Sequence, residues 1–381
     1  MGRHESKHGT KTCPIGISLE KTEDRRPKTE VPFSASLKSV SRLRSSVFSN
    51  FTNMRILVTG ADGMLGSNLV RELLNRGHQI KAFLLPKSPA KTIAGLDLEI
   101  TYGNILEAQQ LIDAAAGCDA IIHTAANTNI WPNRSEMVRK VNVDGTRNVI
   151  DAALHNKVKK MIYVGTANSF GFGSKADPGN ENRPYQSAKY GLDYMDSKYE
   201  AQNIILDAVK NKSLQASIIN PTFMWGPYDS KPGAGAMILA IYNRKVPAFA
   251  SGGRNYIYVK DVVIAIANAL TKGKNGECYI AGNHNMDYKE AFTRIASVVN
   301  VKPPALSLPG FVTKAYGWVG SAMGNITGKA PTVSYPMAQI SSDHHYFSAA
   351  KAVRELGMPQ TDIEVAIDEC FQWLKENGYC N

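Results

Sequence analysis

The sequence predicts an α/β fold, a doubly wound parallel sheet followed by a smaller α+β lobe. Three observations carry this prediction. Short apolar strands alternate with helix-length segments, a glycine-rich turn follows the first strand, and the alternation breaks after Pro221, where glycine and proline cluster. We therefore expect a first domain over 54–221 and a lobe over 222–381, with segments near 255–285 returning to the first domain.

The elements of the first domain follow from local patterns. Each strand is a short run rich in Val, Ile and Leu, and the first helix stops at Gly77. The predicted elements in chain order are strand 55–59, helix 64–76, strand 79–85, strand 98–102, helix 106–116, strand 120–123, helix 135–155, strand 160–164, helix 190–210 and strand 215–219. In the second lobe, the glycines at 310, 317, 320 and 324 predict loops.

Residues 1–53 differ from the rest of the chain. They hold ten Lys/Arg against five Asp/Glu, are rich in Ser and Thr, and lack sustained periodicity. We predict a disordered leader, with Met54 as an alternative start, and the cytoplasm as the compartment. Organelle targeting is the competing interpretation, because 36–53 has Lys and Arg but no acid, whereas the acids before it are atypical of a presequence.

Composition and charge argue against several classes of protein. The net charge is +11, but no basic stripe carries interleaved aromatic residues, so nucleic acid is not an expected partner. No apolar run approaches the ~20 residues that span a bilayer. The five cysteines are odd in number and form no Cys-x-x-Cys pair, so we expect neither a disulfide framework nor a metal site.

The turn after the first strand has the spacing Gly60-x-x-Gly63-x-x-Gly66. In a dinucleotide-binding fold the first glycine permits a tight turn, the second lets the backbone approach the pyrophosphate, and the third lets the helix pack on the strand. The helix that begins at Met64 then presents free N–H groups to the phosphates. A plain strand-to-helix turn is the alternative, and the elements on both sides favour a Rossmann-type nucleotide site.

The end of the second strand bears on the choice of nicotinamide cofactor. An NAD site of this fold carries an acid there, about 20 residues past the glycines, which binds the ribose hydroxyls. The sequence has no Asp or Glu over 84–88 but has Lys87 and, nearby, Lys91. A cation favours the 2′-phosphate of NADP, so NADP is the preferred cofactor and NAD the alternative.

One pair of side chains can carry proton transfer. Tyr194 and Lys198 are four residues apart in the helix predicted over 190–210, so they share one helix face. A neighbouring ammonium lowers the pKa of a phenol and makes it a usable acid or base. Thr166 follows the strand over 160–164 and is a candidate for orienting a carbonyl oxygen.

Two other tyrosines have a lysine four residues later, at Tyr185/Lys189 and Tyr256/Lys260. The first pair follows Pro184, where helical angles are disfavoured, and the second lies in an alternating strand. Position therefore selects Tyr194.

These motifs resemble the extended short-chain dehydrogenase/reductase family, also called the NAD-dependent epimerase/dehydratase family, over about Arg55 to Gly378. The glycine spacing is that family's version. Further similar stretches are Gly103-Asn104-Ile105, His123-Thr124-Ala125-Ala126, Val141–Thr146, Asn220-Pro221-Thr222 with Gly226-Pro227, Tyr256–Asp261 and Lys351–Gly357. Asn104 and Asn220 stand where the family usually has Asp and Arg, so the sequence departs from the family's pattern at those two contacts.

The resemblance implies a set of site residues. The implied catalytic residues are Thr166, Tyr194 and Lys198, with Asn142 in a supporting proton relay. The implied cofactor residues are Gly60, Asp62, Gly63, Met64, Leu65, Gly66, Lys87, Asn104, Ile105, Thr124, Ala125, Ala126, Tyr194, Lys198, Pro221 and Thr222. The substrate candidates are Thr128, Trp131, Met224, Trp225 and Tyr228, and for each of them plain packing between the lobes is an equal alternative.

The resemblance further implies hydride transfer between NAD(P) and a carbonyl or secondary alcohol of a small, apolar substrate, as in dihydroflavonol-reductase-like and 3β-hydroxysteroid-dehydrogenase-like members. Ala167 and Asn168 stand where dehydratases carry Asp and Glu, which disfavours dehydration. A nucleotide-sugar epimerase with retained NAD is the alternative, for which Arg254 could hold a phosphate. A non-catalytic dinucleotide-binding regulator is a third class, and homodimers are common in the family.

Overall fold

A computed structural model describes residues 53–380 of the protein. The leader interpretation of 1–53 therefore falls almost wholly outside the described residues. The strands are β1 (Arg55–Thr59), β2 (Gln79–Leu84), β3 (Glu99–Tyr102), β4 (Ala120–His123), β5 (Lys160–Val164), β6 (Ala216–Pro221), β7 (Phe223–Trp225), β8 (Ala248–Ala250), β9 (Gly253–Tyr258), β10 (Cys278–Ala281), β11 (His284–Asp287), β12 (Leu306–Leu308) and β13 (His344–His345).

Twelve α-helices accompany these strands in the described part of the chain. They are α1 (Met64–Asn75), α2 (Ala108–Ala115), α3 (Glu136–Arg139), α4 (Gly145–His155), α5 (Asp193–Asn211), α6 (Gly235–Tyr242), α7 (Val259–Lys272), α8 (Tyr288–Val298), α9 (Gly310–Thr327), α10 (Tyr335–Ser342), α11 (Ala350–Leu356) and α12 (Ile363–Glu376). A π-helical turn, Lys140–Asp144, joins α3 to α4, and 3₁₀ turns lie at Lys91–Ile93, Ala167–Ser169 and Ser187–Tyr190.

The large sheet has seven parallel strands in the order β10-β6-β5-β4-β1-β2-β3, and this confirms the predicted α/β fold. Alternate strand residues face opposite layers of helices. Ile56 and Val58 pack with α1, α7 and α11 on one face, whereas Leu57 packs with α2, α4 and α5 on the other. Because both faces are covered, the strands read as continuous apolar runs.

The strand order reverses beside β1. The chain first moves outward from β1 through β2 to β3 and then returns to place β4 on the opposite side of β1. The loops after β1 and β4 therefore diverge and leave a crevice at the carboxyl edge of the sheet, which is where open α/β sheets bind ligands.

The second lobe has its own small sheet, in which β9 pairs with β7, β11 and β13. Its core packs Trp225, Tyr256 and Ile367 with side chains of α6, α8 and α12. From this part of the chain, α7 and β10 return to the large sheet, and β10 forms one of its edges. A helix pair, α9 and α10, and the short ladder β8–β12 complete the lobe.

Three predicted elements differ from the structure. The helix expected over 135–155 is interrupted by the π-helical turn. The helix expected from 190 begins at Asp193, because Gly191 adopts a left-handed φ of 61° after a 3₁₀ turn. The loops predicted from the glycines over 310–324 are wrong, since those residues lie within α9. Glycine there serves close helix packing, as described below.

Candidate cofactor and catalytic site

The glycine turn closes around its neighbours so tightly that two of its positions exclude a side chain. Gly60 has a φ of 71°, and a Cβ built on it would lie 2.8 Å from the Cα of Ala125. A Cβ on Gly66 would lie 2.1 Å from the carbonyl oxygen of Gly60. The turn, β1 and the segment after β4 can reach this packing only with glycine at both positions.

The N-terminus of α1 offers backbone donors to an anion. Gly63 is the N-cap residue, no side chain caps the helix, and its first turn contains no acid. A Cβ on Gly63 would meet only the Gly60 carbonyl, at 3.5 Å, so the space beside it is open. Free N–H groups, a positive dipole end and an open approach fit the pyrophosphate of a dinucleotide.

The end of β2 carries charges of both signs. Lys87 is exposed and has a left-handed φ of 68°. Next to it, the Ser88 hydroxyl donates to the carboxylate of Asp62, and Thr92 donates to the Asp62 carbonyl at 2.9 Å. A carboxylate therefore does lie near the end of β2, and it belongs to the glycine turn. Counting residues along β2 could not reveal this, because the contact joins two loops.

A buried polar chain runs beneath the crevice. The Nδ1 of His123 lies 2.7 Å from the Thr59 hydroxyl, and its Nε2 lies 3.2 Å from the Thr146 hydroxyl, which donates to the carbonyl of Asn142 at 2.6 Å. Burial, assisted by the positive charge of Lys198, lowers the pKa of His123 to about 3. A neutral imidazole therefore links the strand before the glycine turn to the π-helical turn.

Asn142 occupies the middle of the π-helical turn and fixes two neighbouring segments. Its side chain accepts from the Asn127 N–H at 2.8 Å and donates to the Asn127 carbonyl at 3.0 Å. It also donates to the Ser197 hydroxyl at 2.9 Å, which in turn donates to the Tyr194 carbonyl at 3.1 Å. Asn142 thus holds the loop after β4 against α5. Such bulges are frequent at functional sites.

Three predicted catalytic residues meet at the carboxyl end of β5. Lys198 donates from Nζ to the Val164 carbonyl at 2.6 Å, and Thr166 lies close enough to Tyr194 to affect its pKa. Burial lowers the pKa of Lys198 to about 7. Burial raises the pKa of Tyr194, and the nearby Thr166 side chain opposes that rise. The sequence analysis predicts that Lys198 lowers the pKa of Tyr194. In the structure burial has the larger effect, so the Tyr194 phenol is protonated at neutral pH.

Asn220 stands where the family usually has arginine, and it holds the backbone of Thr166 in place. It is fully buried, and its Nδ2 donates to the Thr166 carbonyl at 3.1 Å and to the Gln202 side chain at 2.7 Å. Asn220 therefore ties the loop after β5 to α5. Asn220 has this role because β6 packs against both the loop after β5 and α5. The spacing of residues in the sequence does not predict it.

The other predicted cofactor residues lie along the carboxyl edge of the sheet. Thr124 donates to the Thr59 carbonyl at 2.7 Å. Asn104 accepts from the Leu106 N–H at 3.1 Å, and the Ile105 carbonyl accepts from Asn148 at 2.9 Å. Ala125 and Ala126 follow Thr124, Met64 and Leu65 open α1, and Pro221 ends β6. Thr222 donates to Asn255 at 2.7 Å, which points it toward β9.

A polar cluster beside Thr166 was not found from the sequence. The Tyr190 hydroxyl donates to Asp343 at 2.6 Å and lies 2.9 Å from Nε2 of His345, whose Nδ1 is 3.3 Å from Asn168 Oδ1. Burial and the nearby charge of Arg254 lower the pKa of His345 to about 3. Only the position of Asn168, two residues past Thr166, could have signalled this cluster.

Aromatic side chains lie against His345 of this cluster and against Arg254. Phe172 stacks on His345 with ring centroids 4.1 Å apart, and the Arg254 guanidinium lies 5.1 Å from the Phe223 centroid. The Nε of Arg254 donates to the Tyr288 hydroxyl at 2.6 Å. This wall therefore combines apolar rings with one partly exposed cation.

The predicted substrate residues differ in how far their side chains are exposed to solvent. Thr128 is exposed, and Trp131 and Met224 are partly exposed. Trp225 has no exposed surface; it stacks on Tyr256 within the core of the second lobe and therefore cannot reach a ligand in this conformation. Tyr228 lies beneath the Arg71 guanidinium, 3.8 Å from its ring centroid.

The described residues 53–380 contain no cluster of three or more His, Cys, Asp or Glu arranged to hold a metal ion. Within the same range, no helix has the length and apolar character needed to cross a membrane.

The sheet, its switch-point crevice and the glycine turn define a Rossmann-fold enzyme of the oxidoreductase class that binds NAD(P). The chain belongs to the NAD-dependent epimerase/dehydratase family, whose model matches residues 56–282. This confirms the resemblance seen in the sequence.

Named relatives agree with this assignment. A putative dihydroflavonol 4-reductase from Synechocystis is 30% identical over 329 residues, which cover 84% of this chain and 95% of the relative. A 3-beta-hydroxysteroid dehydrogenase from Mycolicibacterium neoaurum is 27% identical over 346 residues, 84% of this chain and 92% of the relative. The crystal structure of gox2253 superposes with a TM-score of 0.77 at 33% identity, covering 86% of this chain and all of that one.

Proposed function

We propose that this protein transfers a hydride between NAD(P) and a carbonyl or secondary alcohol of a small, largely apolar substrate, and that Tyr194 is its acid/base. The observation that carries the proposal is that Tyr194 lies near Thr166 at the carboxyl end of β5, one helical turn from the buried Lys198. The bound nicotinamide would supply or accept the hydride at its C4 carbon.

The residues of the chain have separate tasks in this mechanism. Thr166 donates a hydrogen bond that orients the substrate oxygen, and Tyr194 gives its phenolic proton to that oxygen as the carbonyl is reduced. Because burial raises the pKa of Tyr194, the phenol stays protonated at neutral pH and can act as the acid in reduction. Lys198 has donors beyond the one it gives to Val164, and these suit ribose hydroxyls.

The substrate class follows from the side chains beside this group. Trp131, Met224 and Phe223 offer apolar and aromatic surface, which suits rings better than a sugar. The names of two relatives, a dihydroflavonol reductase and a 3-beta-hydroxysteroid dehydrogenase, describe ring-containing substrates. We expect the enzyme to act in the cytoplasm, and assembly into homodimers stays a prediction.

Cofactor preference depends on two side chains of opposite charge at the end of β2. Lys87 supports NADP, because an exposed ammonium there stabilises a 2′-phosphate. The Asp62 carboxylate, held beside it by Ser88, opposes that phosphate and suits a 2′-hydroxyl. We propose that NADP is preferred and that Asp62 limits the preference.

Tyr194→Phe tests the mechanism. The substitution removes only the phenolic oxygen, so we expect kcat for ketone-dependent NADPH oxidation to fall by roughly 10²–10⁴-fold while cofactor affinity stays within a factor of about two. Tyr185→Phe is the matched control, because Tyr185 also precedes a lysine by four residues but bonds Asp196 instead. Equal rates in wild type and Tyr194→Phe would refute the mechanism and favour a non-catalytic dinucleotide-binding protein.

A nucleotide-sugar epimerase is the second candidate, and Arg254 is the observation that favours it. Its guanidinium faces Phe223 and could bind a diphosphate. For the reductase, Arg254→Met should change KM for an apolar ketone by less than about three-fold, whereas an epimerase should lose affinity for its nucleotide sugar by at least about ten-fold. Native mass spectrometry separates the two independently, since NAD retained through purification indicates an epimerase.

A further inference from the structure

Helix α9 turns its large apolar side chains toward solvent. Phe311, Trp318 and Ile326 are 76%, 64% and 80% exposed. Val312, Tyr316, Val319 and Met323 continue the exposed surface, and with Ile326 they recur at spacings of three and four residues. Together these seven residues form one face along the helix, which we call the α9 apolar face. A surface helix ordinarily buries such a stripe.

The opposite side of α9 explains the inversion. Thr313, Gly317 and Gly324 are buried, and Gly320 is partly buried. A Cβ on Gly317 would lie 2.5 Å from the Cβ of Ala338 in α10, and one on Gly320 would lie 2.4 Å from the Val333 carbonyl. Small residues therefore let α10 approach closely, and the packed side of α9 has no room for its bulky residues.

The segment of the chain that carries this face has side-chain charges of one sign. From Ala291 to Ser342 the chain contains no Asp or Glu, and it carries Arg294, Lys302, Lys314 and Lys329. Arg294 pairs with Glu290 and Glu364. The three lysines are exposed and have no ion-pair partner among residues 53–380. An anionic surface would complement this segment.

The loop before β8 adds to the positive charge. Arg244 and Lys245 are exposed and precede β8, which pairs with β12 immediately before α9. Apolar residues that include Trp and Phe, flanked by cations without acids, are the composition of helices that lie in a membrane interface.

A second copy of the chain fits this face less well. A two-fold interface through α9 would bring together two segments that carry lysines, with no acid on either segment to pair with them. Anionic lipid headgroups neutralise the same lysines, and the acyl region accepts the apolar side chains.

The side of α9 that lies opposite its apolar face packs against the predicted substrate residue Trp131. A Cβ on Gly324 would lie 2.7 Å from the indole of Trp131, so α9 packs directly on that residue. In α10, Ile340 packs with Tyr190 and Met195, which belong to the catalytic neighbourhood. Trp131 is therefore separated by α9 from any surface that binds the α9 apolar face.

We propose that the α9 apolar face docks the enzyme on the surface of an anionic lipid bilayer. This inference does not depend on the proposed reaction, because binding to a bilayer can be measured without any turnover of substrate.

Sedimentation with lipid vesicles tests the docking. Wild type should bind vesicles of phosphatidylcholine mixed with phosphatidylglycerol and bind more weakly to phosphatidylcholine alone or at raised salt. The double variant Trp318→Gln/Ile326→Gln should lose about ten-fold or more of the partition coefficient. Val365→Gln, at an exposed valine of α12, is the matched control and should bind like wild type.

Further measurements separate docking from misfolding and from self-association. Since both altered side chains are exposed, the variant should keep the wild-type Tm and its turnover of a water-soluble ketone. Brominated lipid should quench the fluorescence of wild type more than that of Trp318→Phe. Failure of wild type to bind anionic vesicles overturns the proposal. A dimer that dissociates in the double variant, with vesicle binding unchanged, would assign the face to a second copy instead.

Discussion

The two sides of the catalytic crevice are built differently. The cofactor side has glycine contacts that leave no room for a Cβ and a buried chain from Thr59 through His123 to Asn142. The side that we propose for the substrate has partly exposed aromatic rings, Arg254 and the polar cluster around His345, and α9 packs against Trp131 there. The tightly packed cofactor side suits a cofactor that is constant in the family. The aromatic rings of the other side can adapt, which suits substrates that vary from member to member.

Glycine substitutions probe the rigid half most severely. Gly66→Ala places a Cβ 2.1 Å from a backbone oxygen that cannot move freely, so we expect a loss of about 3 kcal/mol or more in the free energy of unfolding. Gly63→Ala meets only one atom, at 3.5 Å, and should lose less than about 1 kcal/mol while weakening cofactor binding at least about ten-fold. Denaturant unfolding and cofactor titration measure the two effects. Similar stability losses in both variants would contradict this division.

Lowering the pH should reduce the free energy of unfolding, because each side of the crevice contains one buried histidine that is neutral in the folded protein. His123 and His345 have a pKa of about 3 in the folded protein against 6.5 when exposed, so the unfolded chain binds more protons between these values. The stability that each contributes is complete above pH 6.5 and is lost as the pH falls toward 3. In His123→Asn and in His345→Gln, the slope of unfolding free energy against pH should each lose about one proton in this window.

Denaturant unfolding over a pH series gives these slopes. A slope that is unchanged in His345→Gln but reduced in His123→Asn would show that the substrate side admits water to its histidine, which would sharpen the contrast between the halves. Unchanged slopes in both variants would contradict the buried, neutral state of the two imidazoles.

The smallest effect should come from the charges at the end of β2. Lys87→Ala should raise KM for NADPH by about three- to ten-fold and leave KM for NADH nearly constant, whereas Asp62→Ala should lower KM for NADPH. The reason is that the charged 2′-phosphate of NADPH interacts with both Lys87 and Asp62, whereas the uncharged 2′-hydroxyl of NADH interacts with them only weakly. Steady-state kinetics with each cofactor measures this, and Lys212→Ala, an exposed lysine elsewhere, is the control. Equal changes for both cofactors would exclude a role for these residues in selectivity.

Much of the first domain could be predicted because its signals are local. β1, β4 and β5 match the predicted bounds, since an apolar run between polar ends marks a strand buried on both faces. The helix over 135–155 was predicted as continuous because its residues have helical spacing. Its π-helical turn depends on the contacts of Asn142 with Asn127 and Ser197, which spacing cannot show.

The site was predicted unevenly for the same reason. Thr166, Tyr194 and Lys198 are placed by one strand end and one helix, and the structure brings them together. The placement of Asp62 beside Ser88, of His345 beside Asn168 and of Trp225 in the core depends on segments that are distant in sequence. The glycines of α9 have the opposite role to the predicted one, because their meaning depends on whether another helix lies against them.

By itself the sequence determined the alternation of strands and helices, the glycine turn between β1 and α1, and a tyrosine and a lysine on one helix face. These are properties of neighbouring residues, set by backbone conformation and side-chain period. Only the tertiary structure decided which charges meet at the cofactor edge, that burial raises the pKa of Tyr194, and that α9 exposes its apolar face. Those outcomes depend on which surfaces are removed from water when distant segments pack, and packing is a property of the whole fold.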